Sequence, residues 1–183
     1  EEAVDLVLFA FEHGENGDLL IKKAPACTIQ TQAEAVCELF GGKKEFITAL
    51  DSIFTVESDV HGDLVDITGL IGQYVHGNEP SHHIAYLYDY VGQPWKTQEM
   101  TRRLLHEMYA PTPEGIIGNE DCGQMSGWYI LSSLGIYSVC PGSNEFALTT
   151  PLFEKAVVNL ANRKTLTILA NNPKKNVYIT KVE

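Results

Sequence analysis

The stretch "PSHHIAYLYDYVGQPWKTQEMTRRLLHEMYA" (80–110) constrains the fold more than any other part of the chain. It holds two helical patterns. Ile84, Leu87 and Val91 form one stripe, with Pro80 welcome at a first helical position and Gly92 as the stop. Met100, Leu104, Leu105 and Met108 form the second stripe, with Thr97 as its expected cap. The link "GQPWK" is so short that the second helix must return antiparallel to the first. Each predicted helix is about twelve residues, or ~18 Å at 1.5 Å per residue. The chain is therefore back near its starting level by residue 110. The loop 110–124 then lies at the same end as the loop 76–79.

Both of those loops are acidic. "HGNEP" occupies 76–80 and "GNEDCGQ" occupies 118–124, with 42 positions between Glu79 and Asp121. Each precedes a predicted helix, and the two helices point the same way, so Glu79, Glu120 and Asp121 are expected to converge on one pocket. Paired carboxylates suit acid–base chemistry, one giving a proton while the other activates water. Carboxylates grouped with the amide oxygens of Asn78, Asn119 and Gln124 also suit Ca²⁺, which takes hard oxygen ligands. Spacing alone leaves open the simpler reading that these residues cap helices. His76 is the histidine expected at the pocket. His82 and His83 point about 100° apart, so one should pack and the other face the pocket edge. Trp95 and Trp128 suit sugar stacking or, as is commoner, core packing. "GQMSGW" is not a nucleophile elbow.

A chain of 183 residues, 44% hydrophobic, is enough for one domain with a real core. A net charge of −11 argues against nucleic acid and anionic membranes as partners. No apolar run reaches the ~18 residues of a membrane span. "AVDLVLFAF" lacks the flanks of a signal peptide, and "DLVLFAF" within it reads as a strand. The start "EEAVD" has no Met, as expected of a processed or partial chain. "QAEAVCELFGG" and "KKEFITALDSIF" read as helices, the latter with Phe46, Ala49, Leu50, Ile53 and Phe54 on one face. "MSGWYILSSLG" is a further helix. Segments 156–160, 165–169 and 176–180 are expected to pair as antiparallel strands packed on the helices. Cys27, Cys37, Cys122 and Cys140 lack a zinc spacing. Cys122 and Cys140 bracket a helix, and are expected as a disulfide or as buried thiols.

Two long segments carry a resemblance. "DITGLIGQYVHGNEPSHHIAYLYDYVGQPWKTQ" and "GIIGNEDCGQMSGWYILSSLGIYSVCPGSNEF" resemble the glycoside hydrolase family 92 α-mannosidases. The resemblance covers about 33–183. It implies a calcium-dependent, exo-acting, inverting α-mannosidase that works on mannose-containing glycans, secreted or periplasmic. It also implies an (α/α)6-barrel catalytic domain preceded by a β-sandwich. The expected fold is therefore α+β: helices forming part of an (α/α)6 barrel, followed by a small antiparallel β-sheet. Residues 1–32 stand apart as an unassigned segment, 33–142 as the helical part and 143–183 as the strands.

By position, the resemblance makes Asp121 the general base on the attacking water. Asn119 stands where the family often has a second Asp. Asn78 and Glu79 match the region expected to hold Ca²⁺ and the terminal mannose. His76, Gly77, Asn119, Glu120 and Gln124 are expected at the substrate. The family's general acid is a Glu in a segment like "EGNAWQY", upstream of the Gly-Gly that matches Gly41-Gly42. Here that stretch reads "LLIKKAPA" (19–26), with Leu19 near the acid's place. The chain is thus expected to be the C-terminal part of a mannosidase, acting with a missing N-terminal part. The alternative is a truncated, inactive relative that binds Ca²⁺ or mannose without turnover.

Overall fold

The structure is a computed structural model that describes residues 2–15, 29–59 and 67–183. Leu19 and Cys27 lie outside the described residues, as does part of the expected 1–32 segment. Among the described residues the fold is α+β, with helices and three small antiparallel sheets of two strands each.

Helix α1 spans Glu2–His13, where a strand was expected. The apolar run "DLVLFAF" does not alternate, and a short unbroken apolar run fits helix and strand equally well. Helix α2 spans Ile29–Leu39 and α3 spans Lys43–Thr55. Between them Gly41 and Gly42 take positive φ and stop the first. In α3 the expected face holds: Phe46, Leu50 and Phe54 are buried at spacings of four. A hairpin follows, β1 (Leu70–Ile71) with β2 (Tyr74–Val75). Its turn residue Gly72 has φ +60, and a Cβ there would lie 2.7 Å from the Ile53 carbonyl oxygen. Only glycine lets this turn sit against the end of α3.

The expected helix over 80–91 is broken. Residues Glu79–Ser81 and Ile84–Tyr86 form 3₁₀ turns, and only Leu87–Tyr90 is α-helical (α4). One group inside this segment is engaged from 46 residues away in sequence. The indole Nε1 of Trp128 donates to the His82 carbonyl at 3.3 Å. That carbonyl is the i−4 acceptor for the Tyr86 amide in an α-helix, and Tyr86 N instead donates to His83 O at 3.0 Å. Helix α5 spans Pro94–Glu107 with Pro94 at its first position. Thr97 is therefore inside the first turns and buried, not the cap. Helix α5 packs on α4 and the 84–86 turn. Tyr109, just past its end, bonds His76, so it does return to the level at which the pair began.

Helix α6 spans Gln124–Ser133, and β3 (Ile136–Tyr137) pairs with β4 (Ala147–Leu148). Strands β5 (Lys155–Asn159) and β6 (Thr165–Leu169) form a hairpin in register Lys155↔Leu169 to Asn159↔Thr165. Two of the three expected strands thus form. The third does not: residues 176–180 run along α5 with side chains for partners. Ile179 N donates to the Gln98 side-chain oxygen at 2.8 Å, and Val177 O accepts from Thr150 Oγ1 at 2.5 Å. With these groups satisfied by side chains, no ladder partner is needed. The hairpin also packs less than expected, with only Ala156, Val158 and Ile168 half-buried on it. Cys122 and Cys140 are exposed, free thiols, neither a disulfide nor buried. No helix among the described residues is long and apolar enough to cross a membrane.

Candidate active site

The two acidic loops meet. Residues 76 and 77 continue the β1–β2 ladder, His76 N donating to Gly69 O and Gly77 N to Thr68 O, both at 3.0 Å. This fixes where the first loop begins. The second loop lies against it backbone to backbone. A Cβ on Gly118 (φ +73) would fall 2.2 Å from the Gly77 carbonyl oxygen. Asn119 N donates to that same oxygen at 3.4 Å. Glycine at 118 is what allows both the backbone angle and the approach. Beyond this clamp, the amide of Asp121 donates to Glu79 Oε1 at 3.3 Å. Residues 42 apart in sequence are therefore joined at the point where the helix arithmetic places them.

Beneath the loops is a floor of buried rings. His76 is fully buried. Its Nδ1 lies 2.9 Å from Tyr74 Oη and its Nε2 lies 2.8 Å from Tyr109 Oη. Tyr109 Oη also donates to Met125 O at 3.3 Å, so it accepts from His76. The tautomer follows: His76 carries its proton on Nε2, and Tyr74 donates to Nδ1. His76 stacks on His82 with ring centroids 4.9 Å apart, and meets Trp128 edge-on at 4.4 Å. His82 in turn donates from Nε2 to His76 O at 3.0 Å, which leaves its Nδ1 to accept from Gln124 Nε2 at 3.4 Å. Burial first, then the neighbouring His82, push His76 down to about 3. Burial also lowers His82, against its bond to the His76 backbone and the charge of Glu79. Both rings are neutral at ordinary pH. Burial likewise pushes the Tyr74 and Tyr109 hydroxyls up, so they remain protonated donors.

His76 was expected at the pocket; it lies underneath, with both ring nitrogens bound to protein. Gly77 is also buried, and Asn78 and Glu79 are half-buried. Asn119, Glu120, Asp121 and Gln124 are exposed. The Glu120 carboxylate accepts from Ser126 N at 3.2 Å through each oxygen, so it caps the first turn of α6. Between Glu120 and Gly123, Cys122 holds a left-handed φ of 52. Of the adjacent histidines, His82 packs and His83 is exposed; of the tryptophans, Trp128 is core and Trp95 is 47% exposed. Sequence reasoning missed Tyr74 and Tyr109, whose hydroxyls carry no periodic signal. A recess of about 540 Å³ opens elsewhere, between α4, α5 and β4, lined by Asp89, Tyr90, Gln98 and Glu145 among others. The acidic loops form an open rim apart from it.

Ca²⁺ is the ion that this family resemblance implies, and the oxygen donors of Asn78 and Glu79 suit it chemically. Two side chains alone fall short of a full set. Among the described residues no group of three or more His, Cys, Asp or Glu side chains is placed to hold a metal, against the six to eight oxygens Ca²⁺ takes.

The family profile described as "Glycosyl hydrolase family 92 catalytic domain" matches residues 26–183. A family GH92 alpha-mannosidase of Bacteroides thetaiotaomicron, solved with mannoimidazole, is 42% identical with a TM-score of 0.71. That likeness covers 78% of this chain and 19% of that one. A family GH92 inverting mannosidase of the same organism is 38% identical with a TM-score of 0.62, over 76% of this chain and 20% of that one. An uncharacterized secreted glycosidase of Arthroderma benhamiae is 28% identical over 145 residues, 77% of this chain and 17% of that protein. A different likeness covers 44 residues, 24% of this chain: these are 54% identical to a UDP-glucose 4-epimerase of Rickettsia felis and span 13% of it. The chain thus spans a small share of each relative. With the matched residues making up most of the chain and both acidic loops among them, the chain belongs to the glycosyl hydrolase family 92 catalytic domain family.

Proposed function

We propose that the joined loops 76–79 and 118–124 are part of the active site of an exo-acting, inverting α-mannosidase that works on mannose-containing glycans. The observation that carries this is the bond from Asp121 N to Glu79 Oε1 within a family 92 sequence. Asp121, exposed on the rim, is the general base that draws a proton from water. Gln124 gives its amide nitrogen to His82, which leaves its carbonyl oxygen for a sugar hydroxyl. Asn119 and Glu120 border the same rim, while His76 and Gly77 support it from below. Asn78 and Glu79 are proposed as two of the Ca²⁺ ligands. Two side chains do not fill a calcium shell, and the remaining ligands are proposed to come from parts of a family 92 domain outside the described residues. The same holds for the acid that protonates the departing oxygen, and for the rest of an (α/α)6 barrel. A secreted or periplasmic location is proposed from the family resemblance, and the relative described as a secreted glycosidase supports the first of these.

Inversion needs base and acid together. General acid catalysis contributes about 10²–10⁴-fold. The chain alone is therefore expected to leave an α-mannobiose intact with Ca²⁺ present, and to turn over an aryl α-mannoside slowly at most, since a good leaving group depends less on the acid. Asp121→Asn should abolish any such turnover. Hydrolysis of the disaccharide at ordinary rates, about 1–10³ s⁻¹, would place the acid within this chain, and turnover that survives Asp121→Asn would remove Asp121 from the role of base. Ca²⁺ alone, at millimolar concentration, should shift the midpoint of thermal unfolding by less than about 2 °C. A larger shift would mean that the chain carries a complete calcium site.

A further inference from the structure

We infer that the chain joins two sequences of separate origin, and that helix α1 belongs to a segment that is no part of the family 92 fold. This rests on family membership and not on the proposed hydrolysis.

The family profile begins at residue 26. The mannosidase structures cover 78% of the chain, which leaves roughly a fifth of it unmatched. The epimerase likeness takes 44 residues at 54% identity. It recurs at 55% over 42 residues in the epimerase of Rickettsia typhi. The two likenesses have nearly complementary coverage, 24% and 78% of the chain, and the family profile runs through to residue 183, so the part it leaves is N-terminal. The epimerase-like stretch is therefore assigned to the N-terminal end, and at 44 residues it is longer than the segment before residue 26 and runs into the start of the family profile.

The packing of α1 is an independent mark. Its Val7, Leu8, Phe9 and Phe11 are 53%, 55%, 50% and 85% exposed. Helix α3, of similar length, has Phe46, Leu50 and Phe54 at 6%, 1% and 6%. An isolated helix shorter than ~12–15 residues is marginal in water, and most helices gain their stability from a packed apolar face. Helix α1 has the apolar residues but no such burial at these positions. Its apolar side chains call for a partner surface that the described residues do not provide. One consequence concerns the glycosidase. Glu12 and Glu15 lie in this segment, so neither is the family's general acid.

Amide hydrogen exchange on the full chain tests this. The amides of α1 should be protected by no more than about 10-fold, while those at the centres of α3 and α5 should exceed about 10³-fold. Protection of α1 equal to that of α3 would overturn the inference. The same 183-residue chain carrying Leu8→Ser and Phe11→Ser gives a second reading. Its unfolding midpoint should stay within about 2 °C of the parent, whereas Leu50→Ser should lower it by more than about 5 °C. A fall with the α1 pair as large as that with Leu50→Ser would show that α1 packs into the fold.

Discussion

The floor beneath the acidic loops and the β5–β6 hairpin are both rich in large apolar side chains, yet they are stabilised in different ways. In the floor Trp128, Tyr74, His76 and His82 are 0–1% exposed. Their polar atoms bond one another and the backbone of loops far off in sequence. The hairpin satisfies its backbone through its own ladder. Its apolar side chains gain little, with Val157 51% and Leu169 72% exposed. A region closed by long-range side-chain bonds fixes where its loops lie. A region closed by its own ladder fixes only itself. Catalysis needs groups held to fractions of an ångström, so the candidate site sits over the first kind.

The largest effect is expected where the floor is removed. Trp128→Ala deletes a fully buried ring and leaves the His82 carbonyl without its donor. Burial lost plus the cavity should cost about 3–5 kcal/mol, read from urea unfolding. A loss below about 1 kcal/mol would mean that the floor is no more integral than the hairpin.

Next is the clamp between the loops. Gly118→Ala must hold a left-handed φ and place a methyl 2.2 Å from the Gly77 carbonyl oxygen. That oxygen is backbone and cannot swing away, so the two loops must part. The expected cost is about 2–4 kcal/mol, with chemical-shift changes concentrated in 76–79 and 118–124. A neutral result would show that the loops need no contact.

Helix α5 and the meeting of the two loops were legible in the sequence, because link length and helix periodicity are local quantities. Phe46, Leu50 and Phe54 were legible for the same reason. The broken segment 79–90 was not, since contacts such as that of Trp128 to the His82 carbonyl reach it from across the fold and leave no mark in its own periodicity. Segment 176–180 has strand-like composition, but Gln98 and Thr150 satisfy its backbone first. Of the site, the meeting of Glu79 with Asp121 could be reasoned out from spacing. The buried position of His76 could not, because its partners Tyr74 and Tyr109 are distinguished only by where their hydroxyls arrive in space.

Acid should weaken the floor and leave the hairpin alone. His76 is pushed down to about 3, from an ordinary value near 6.5. As pH falls below 6.5 the unfolded chain takes up a proton that the folded chain refuses until about pH 3. Stability is thus intact above 6.5 and is lost on the way down. One proton corresponds to about 1.4 kcal/mol per pH unit. His82, lowered mainly by burial, acts in the same direction. Between pH 6.5 and 4.5 His76 should account for a loss of roughly 2–3 kcal/mol. Urea unfolding at each pH measures it, and His76→Gln should flatten the slope even though it lowers stability overall. An unchanged slope would take the proton accounting away from His76.

The smallest effect is expected on the hairpin. Leu169 ends β6 opposite Lys155 and is 72% exposed. Replacing it with serine removes little burial and no ladder bond, because the backbone groups that pair the strands are untouched. Exposed substitutions away from special features usually stay within about 0.5 kcal/mol. Leu169→Ser should therefore leave the urea midpoint within error, and so should Val157→Thr, which keeps the β-branch on the same face. Both should also lower the tendency of the chain to self-associate, since large exposed apolar patches promote association. A loss above about 2 kcal/mol from either change would mean that these side chains are covered in solution. The hairpin would then be a packed region like the floor, and the contrast between them would fail.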